Sequence, residues 1–369
     1  MEIGGRVAAG FERVHDVFAA NFEERGEVGA ACCVYLDGEP VVDLWAGDAG
    51  AGRPYTDTTL QMVASATKGA LAIVAHRLAE RGELDLDAPV TDYWPEFATR
   101  GVKVAWLLSH QAGLVRLDRP LTLDEIADWD AAAQAAGAAG PVWPPGTRHG
   151  YHAITYGWLV GEVVRRVTGL SPGTAFRREV AEPLGLDLHI GLPADEHARV
   201  APLIPAATPD ELTARLMDPE CLAHAAFLMD SGLLGLLNDP RLWAAELPAG
   251  NGMGTATALA RMYAAVIGPV DGVRLLGEDA LWRAREERAR GMDPVVGFET
   301  AFGLGFQLST PFRPMAGPGS FGHYGLGGSV GFAHPELRFS FGYTVNQMQP
   351  GFGADKRSVP LVDAVLRSL

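Results

Sequence analysis

Ser65-Ala66-Thr67-Lys68 follows a short run at 60–64 and opens a long apolar segment, 66–81, in which Leu71, Ile73, Val74 and Leu78 recur before Gly82. The run 60–64 reads as a short strand or a connector, and 66–81 as a buried helix closed by its glycine. Residues three apart on a helix share a face, so this spacing sets Lys68 beside the Ser65 hydroxyl. A serine is a weak nucleophile until a neighbouring base takes its proton. Lysine can be that base where burial and nearby positive charge disfavour its ammonium form. The start of the helix adds a field that favours a developing oxyanion. The tetrad therefore predicts a nucleophile, Ser65, partnered by Lys68.

Working outward, Phe11, Val14, Val17, Phe18 and Phe22 recur at helical spacing over 11–22. Two β-type runs come next, 29–36 and 40–45, around a hairpin turn at Asp37-Gly38-Glu39. Beyond the tetrad, the alanine-rich 131–140 reads as helix or loop. Segments 156–167 and 257–267 carry helical periodicity, the latter after the glycine-rich 250–254. A two-residue period returns at 302–308, 331–334 and 338–345, and a last helix is predicted over 356–369. Strands at both ends with helices between them predict one sheet assembled from both termini, interrupted by a helical insertion. The expected division is an α/β sheet domain from 1–80 with 290–369, and a mainly helical region over 81–289.

The chain has 369 residues, 48% hydrophobic and 20% charged, which describes a well-buried globular protein. Its net charge of −15 argues against nucleic-acid binding, which needs clustered Lys and Arg. Only Lys68, Lys103 and Lys356 are lysines. Three cysteines make no disulfide framework, and Cys32 and Cys33, adjacent on a strand, are expected on opposite faces. No apolar run reaches the length of a membrane span or a signal peptide, so the expected setting is cytoplasmic.

Two further stretches carry candidate chemistry. In Trp143-Pro144-Pro145-Gly146-Thr147-Arg148-His149-Gly150-Tyr151-His152-Ala153, the Pro-Pro-Gly turn rigidly presents the residues after it. Tyr151, set near a lysine and a serine, can relay the serine proton if a cationic neighbour depresses its pKa. In Phe321-Gly322-His323-Tyr324-Gly325-Leu326-Gly327-Gly328-Ser329, glycines beside an edge strand admit close approach of a substrate. Free N–H groups of that edge can complete an oxyanion hole.

Taken in order, the three elements resemble the penicillin-recognising serine hydrolases. These comprise class C β-lactamases, D-alanyl-D-amino-acid peptidases and the β-lactamase-like family VIII carboxylesterases, with their S-x-x-K, Y-x-N and K-T-G pattern. Ser65 to Lys68 match the first element. Tyr151-His152-Ala153 keeps the tyrosine and replaces the asparagine by Ala153, and His323-Tyr324-Gly325 keeps only the glycine of the third. Leu107-Leu108-Ser109-His110-Gln111-Ala112-Gly113-Leu114 is similar to a loop common in these proteins and is read as structural. The resemblance implies a β-lactamase/penicillin-binding-protein-like α/β (α+β) fold: an antiparallel sheet flanked by terminal helices, an inserted helical domain, and a site in the cleft between them.

The departures bear on substrate. A histidine at 323 is mostly neutral at pH 7, so it anchors an anion less well than lysine. Loss of the asparagine removes an amide that would contact the substrate and order the lysine. Both changes favour a small-molecule ester over a lactam. The expected function is a cofactor-free serine carboxylesterase for short-chain esters, with Ser65, Lys68 and Tyr151 catalytic and the His323, Gly325 and Leu326 strand holding substrate and oxyanion. A β-lactamase, D-amino-acid peptidase or acyltransferase on the same site stands as the alternative, and a catalytically silent binding module as the second.

Other motifs are set aside. Gly327-Gly328-Ser329-Val330-Gly331 satisfies G-x-S-x-G, but β-type sequence comes after it where a nucleophile elbow needs a helix. His149 and His152 lack the further ligands of a metal site. Tyr55, Trp94 and Trp143 are either acyl-pocket or core residues.

Overall fold

The computed structural model describes residues 2–206, 211–351 and 355–369. A nine-stranded antiparallel sheet organises them. Its strands are β1 (Ile3–Val7), β2 (Gly29–Leu36), β3 (Glu39–Gly47), β4 (Ala289–Met292), β5 (Glu299–Phe302), β6 (Gln307–Leu308), β7 (Phe321–Tyr324), β8 (Val330–His334) and β9 (Phe339–Val345). Their spatial order is β1-β3-β2-β9-β8-β7-β6-β5-β4. The sheet is thus assembled from both ends of the chain, and its N-terminal and C-terminal strands join where β2 pairs with β9, with Cys32 opposite Tyr343.

The β2–β3 hairpin turns on Asp37 and Gly38 at φ 54° and 83°, the doubly left-handed turn that matches strand twist. β2 reads Gly-Ala-Ala-Cys-Cys-Val-Tyr-Leu with both faces covered. Ala30, Cys32 and Val34 face one core, and Ala31, Cys33 and Tyr35 the other, so the two cysteines do point apart. The first core is closed by the terminal helices α1 (Glu12–Glu24) and, at the chain's end, Ser358–Leu366. On the opposite face, Ala256–Ile267 lies directly on the sheet. A Cβ on Gly342 would come within 2.1 Å of the Ala256 carbonyl, so that approach requires a glycine.

The larger core is built around α2 (Thr67–Glu80), buried on almost every side, and α3 (Thr155–Thr168). The alanine-rich segment is helical over Trp129–Ala138, capped by Asp128. A small four-stranded sheet brings Leu60–Met62 between Met253–Gly254 and Val200–Ala201. No helix among the described residues is long and apolar enough to cross a membrane.

Two expectations need correction. The single strand at 302–308 is two strands, β5 and β6, because Gly305 at φ 90° reverses the chain and sends Leu304 and Phe306 into the core. β7 is not a full edge strand: it pairs with β8 and with β6. Pairing to β6 ends at Gly322, and beyond it the Gln307 side chain takes over, its Oε1 accepting the Tyr324 N–H at 3.1 Å.

Candidate active site

Ser65 lies in a 3₁₀ turn, Ala64–Ala66, that leads from the strand Leu60–Met62 into α2. Ala64 has φ 47°, a left-handed conformation that costs an alanine about 1 kcal/mol. The turn is tied down on both sides. Thr67 Oγ1 donates to the Ala64 carbonyl at 2.6 Å and accepts from Gly252 N–H at 2.8 Å, while Val63 N–H donates to the Gly252 carbonyl at 2.8 Å. The glycine-rich 250–254 stretch is thus a brace for the tetrad, a role its composition did not announce.

Lys68 is fully buried, with Nζ 3.3 Å from Ser65 Oγ. It donates to the carbonyls of Ala153 at 2.6 Å and Ala249 at 2.7 Å. Burial alone pulls its pKa well below the ordinary lysine range, and the positive neighbour expected from the sequence makes no contribution. A neutral amine has two N–H groups and one lone pair. Two carbonyls take the N–H groups, which leaves the lone pair for the Ser65 hydroxyl. Ala153 occupies the place of the missing asparagine, and its backbone orders the lysine instead.

Tyr151 sits with its ring centroid 4.8 Å from Lys68 Nζ and stacks on Phe302 at 6.2 Å. Its pKa runs opposite to expectation. Burial pushes the phenol up, and the Ser65 side chain and the Arg313 charge offset only part of that. Tyr151 is therefore a neutral proton donor at pH 7, not a phenolate. Its backbone is held by two groups the sequence did not single out. His110 takes the His152 N–H on Nδ1 at 3.1 Å and the Gly150 N–H on its carbonyl at 3.0 Å. Asp293, buried in the β4–β5 connection, accepts the Tyr151 N–H at 2.9 Å, Val295 N–H at 2.9 Å and Thr300 Oγ1 at 3.1 Å. Asp293→Asn is expected to cost about 1–3 kcal/mol of stability by unpairing these donors. It is also expected to lower kcat for an ester more than it raises KM. Thermal melting and steady-state kinetics check this, and wild-type values in both would remove Asp293 from the site.

His323 is buried, and its Nδ1 donates to the Tyr324 carbonyl at 2.7 Å. Nε2 has no partner among the described residues, and burial above all holds the ring well below the usual histidine range. It is a neutral acceptor, with no positive charge to offer a carboxylate. Gly325 N–H is already given to the Ser329 carbonyl at 2.7 Å, so Gly325 does not donate to an oxyanion as the sequence reading allowed. Its glycine is needed because a Cβ would meet the Val63 carbonyl at 2.2 Å, where β7 abuts the segment before Ser65. Neither Ser65 N–H nor Leu326 N–H is used in any hydrogen bond among the described residues.

Ser65 ends a slot of about 40 Å³ whose walls include Phe227, Leu233, Leu234, Leu242, Leu247 and Met348. None of its lining side chains is charged. A shallower depression of about 410 Å³ shares Leu203, Leu234, Leu237, Leu326 and Met348 with it and opens outward past Asn238. Two broader depressions of about 580 Å³ each, around Trp282 and around His189, contain none of Ser65, Lys68 and Tyr151. Tyr55, Trp94 and Trp143 are buried away from the slot as core residues, Tyr55 hydrogen-bonded to Thr344 at 3.2 Å.

The motifs without a catalytic part have structural places. Ser329 precedes strand β8, with no helix after it. His152 is engaged on both ring nitrogens, by Leu114 N–H at 3.0 Å and the Gly150 carbonyl at 2.8 Å. Among the described residues no cluster of three or more His, Cys, Asp or Glu side chains could hold a metal ion.

Residues 15–364 match the family described as Beta-lactamase. The chain is 37% identical over 357 residues to Esterase/beta-lactamase LipL of Mycobacterium tuberculosis (strain ATCC 25618 / H37Rv), spanning 92% of this chain and 81% of that protein. It is 35% identical over 197 residues to Esterase EstB of Burkholderia gladioli, spanning 47% of this chain and 50% of that one. Among solved structures it resembles a family VIII carboxylesterase with a TM-score of 0.92 and 39% identity, over 100% of both chains. A penicillin-binding protein homologue from Caulobacter crescentus gives a TM-score of 0.88 at 39% identity, again over 100% of both.

Proposed function

This chain belongs to the Beta-lactamase family, with the β-lactamase/penicillin-binding-protein fold of a serine hydrolase, and we propose that within it the protein is a carboxylesterase for short-chain, uncharged esters. The observation that carries this reading is the lining of the slot. No charged side chain faces Ser65 there, and the position of the family's anion-binding lysine holds a buried, neutral imidazole, His323. A substrate carboxylate would be desolvated without a partner, whereas a plain acyl chain meets leucines. The slot is narrow and lined mainly by aliphatic side chains, which suits a short acyl chain. The wider depression outside it suits the alcohol.

The hydrogen bonds around Ser65 and Lys68 support a two-stage acyl-enzyme mechanism. Ser65 Oγ attacks the ester carbonyl while its proton passes to the Lys68 lone pair. Ser65 N–H and Leu326 N–H receive the oxyanion. As the tetrahedral adduct collapses, the bond to the leaving oxygen breaks. Tyr151 gives that oxygen its hydroxyl proton and regains one from Lys68, which leaves an acyl-Ser65 and a free alcohol. Water then attacks the acyl group, its proton returns through the Tyr151–Lys68 pair, and the acid departs with Ser65 restored. No cofactor enters either half.

The test is a panel of p-nitrophenyl esters of increasing chain length, run beside a chromogenic cephalosporin. Highest kcat/KM at two to four carbons, with cephalosporin turnover far lower, supports the reading. A cephalosporin turned over faster than every ester sinks it and favours a lactamase. Leu234→Ala, which widens the slot wall, is expected to move the optimum toward longer chains, at a cost to the shortest ester of about tenfold or less. An unchanged chain-length profile would show that the acyl group lies elsewhere.

A further inference from the structure

Arg357 is completely buried just before the terminal helix Ser358–Leu366, in a cluster that the proton relay does not use. All five of its N–H groups have acceptors. Nε donates to Asp355 Oδ1 at 3.1 Å and Nη2 to Asp355 Oδ2 at 2.8 Å; Nη1 donates to Glu27 Oε1 at 2.9 Å. The remaining two go to backbone carbonyls, Nη2 to Gly327 at 3.0 Å and Nη1 to Gln347 at 2.8 Å. Each carbonyl lies one residue from a wall of the slot, Leu326 on one side and Met348 on the other. The turn rests directly on the guanidinium: a Cβ on Gly328 would stand 2.4 Å from both Arg357 Nη2 and Asp355 Oδ2. Gly327 O also accepts Gln349 N–H at 2.9 Å, so the two segments are locked to each other as well as to the arginine.

A buried ion cluster is a poor way to gain stability, because desolvation offsets much of the attraction. Its value lies in geometry, since a planar fork fixes several acceptors at once. We propose, resting on the esterase reading of the site, that Arg357 is a positioning residue that sets the Leu326 N–H of the oxyanion hole and the Met348 wall by clamping their two segments together. It touches no substrate. It acts on transition-state stabilisation, which depends on the direction of that N–H, more than on ground-state binding.

The test compares Arg357→Lys, which keeps the charge but loses the fork, and Asp355→Asn, which weakens the carboxylate that orients the fork while keeping the arginine. Val14→Ala, on the buried face of α1, serves as a control for plain destabilisation. All are assayed with p-nitrophenyl acetate and with a fluorophosphonate that labels Ser65, well below each variant's own melting temperature. The expected result is a kcat and a labelling rate lowered about 10–100-fold in both clamp variants, with KM within about threefold, and no such loss in the control. Wild-type kcat in whichever clamp variant folds overturns the proposal. So does a loss that tracks Tm equally in Val14→Ala. A wild-type protein that neither cleaves esters nor labels at Ser65 would instead refute the esterase reading itself.

Discussion

Ser65→Ala is expected to bring ester hydrolysis down to the background rate, a loss of about 10⁴–10⁶-fold in kcat. The size reflects a site with one nucleophile. In the proposed mechanism Lys68 and Tyr151 serve one nucleophilic oxygen, and without it the remaining groups can only polarise the ester for direct attack by water. Deleting that oxygen barely touches the fold. Ser65 Oγ has Lys68 Nζ at 3.3 Å as its neighbour, whereas the turn around it is held by Thr67, Val63 and Gly252. The melting temperature is therefore expected to stay within a few degrees of wild type. Hydrolysis surviving in a folded Ser65→Ala variant would mean that the nucleophile is another residue.

Lys68→Met is expected to cost about 10³-fold or more in kcat, the next largest effect. Methionine fills the space without a base, and leaves the Ala153 and Ala249 carbonyls without their donor. Relief from burying an amine offsets part of that loss, so the variant is expected to fold. The pH dependence separates this reading from a purely electrostatic one. Burial lowers the Lys68 pKa, so the free amine persists to a pH below the ordinary lysine range and is lost only as the pH falls through that depressed value. kcat/KM should accordingly rise on an acid-side limb lying well below the ordinary lysine range. That limb should vanish in Lys68→Met. An activity that climbs only above about pH 10 would show that the lysine is charged in the free enzyme.

What the sequence made legible was local. The Ser65–Lys68 pairing depends on helical spacing alone, and spacing is written in the chain. Tyr151 and the His323–Gly325 strand were found by their order along it. The two carbonyls that orient Lys68 were invisible, because Ala153 and Ala249 act through backbone atoms that every residue has. Asp293 was missed for another reason: it meets Tyr151 across 142 positions, and nothing near it in sequence marks it. The Tyr151 pKa was read with the wrong sign because a cationic neighbour can be inferred from a motif, whereas complete burial cannot. The slot walls come from leucines of the 227–247 stretch, whose apolar character alone did not separate pocket from core. In the fold, β2, β3, β8, β9 and α2 were readable from periodicity, whereas β1, β4 and the β5–β6 break at Gly305 were not.

The junction of β2 with β9 has a consequence for how the protein is made. β2 emerges early, and its partner β9 arrives about three hundred residues later. At the usual 5–20 residues per second of synthesis, β2 and β3 wait roughly 15–60 s beside the ribosome before the neighbour that completes the sheet exists. Throughout that interval a strand apolar on both faces, Gly-Ala-Ala-Cys-Cys-Val-Tyr-Leu, offers an open edge to other chains. Yield in the cell should therefore depend on chaperone supply and translation speed as much as on the stability of the finished enzyme.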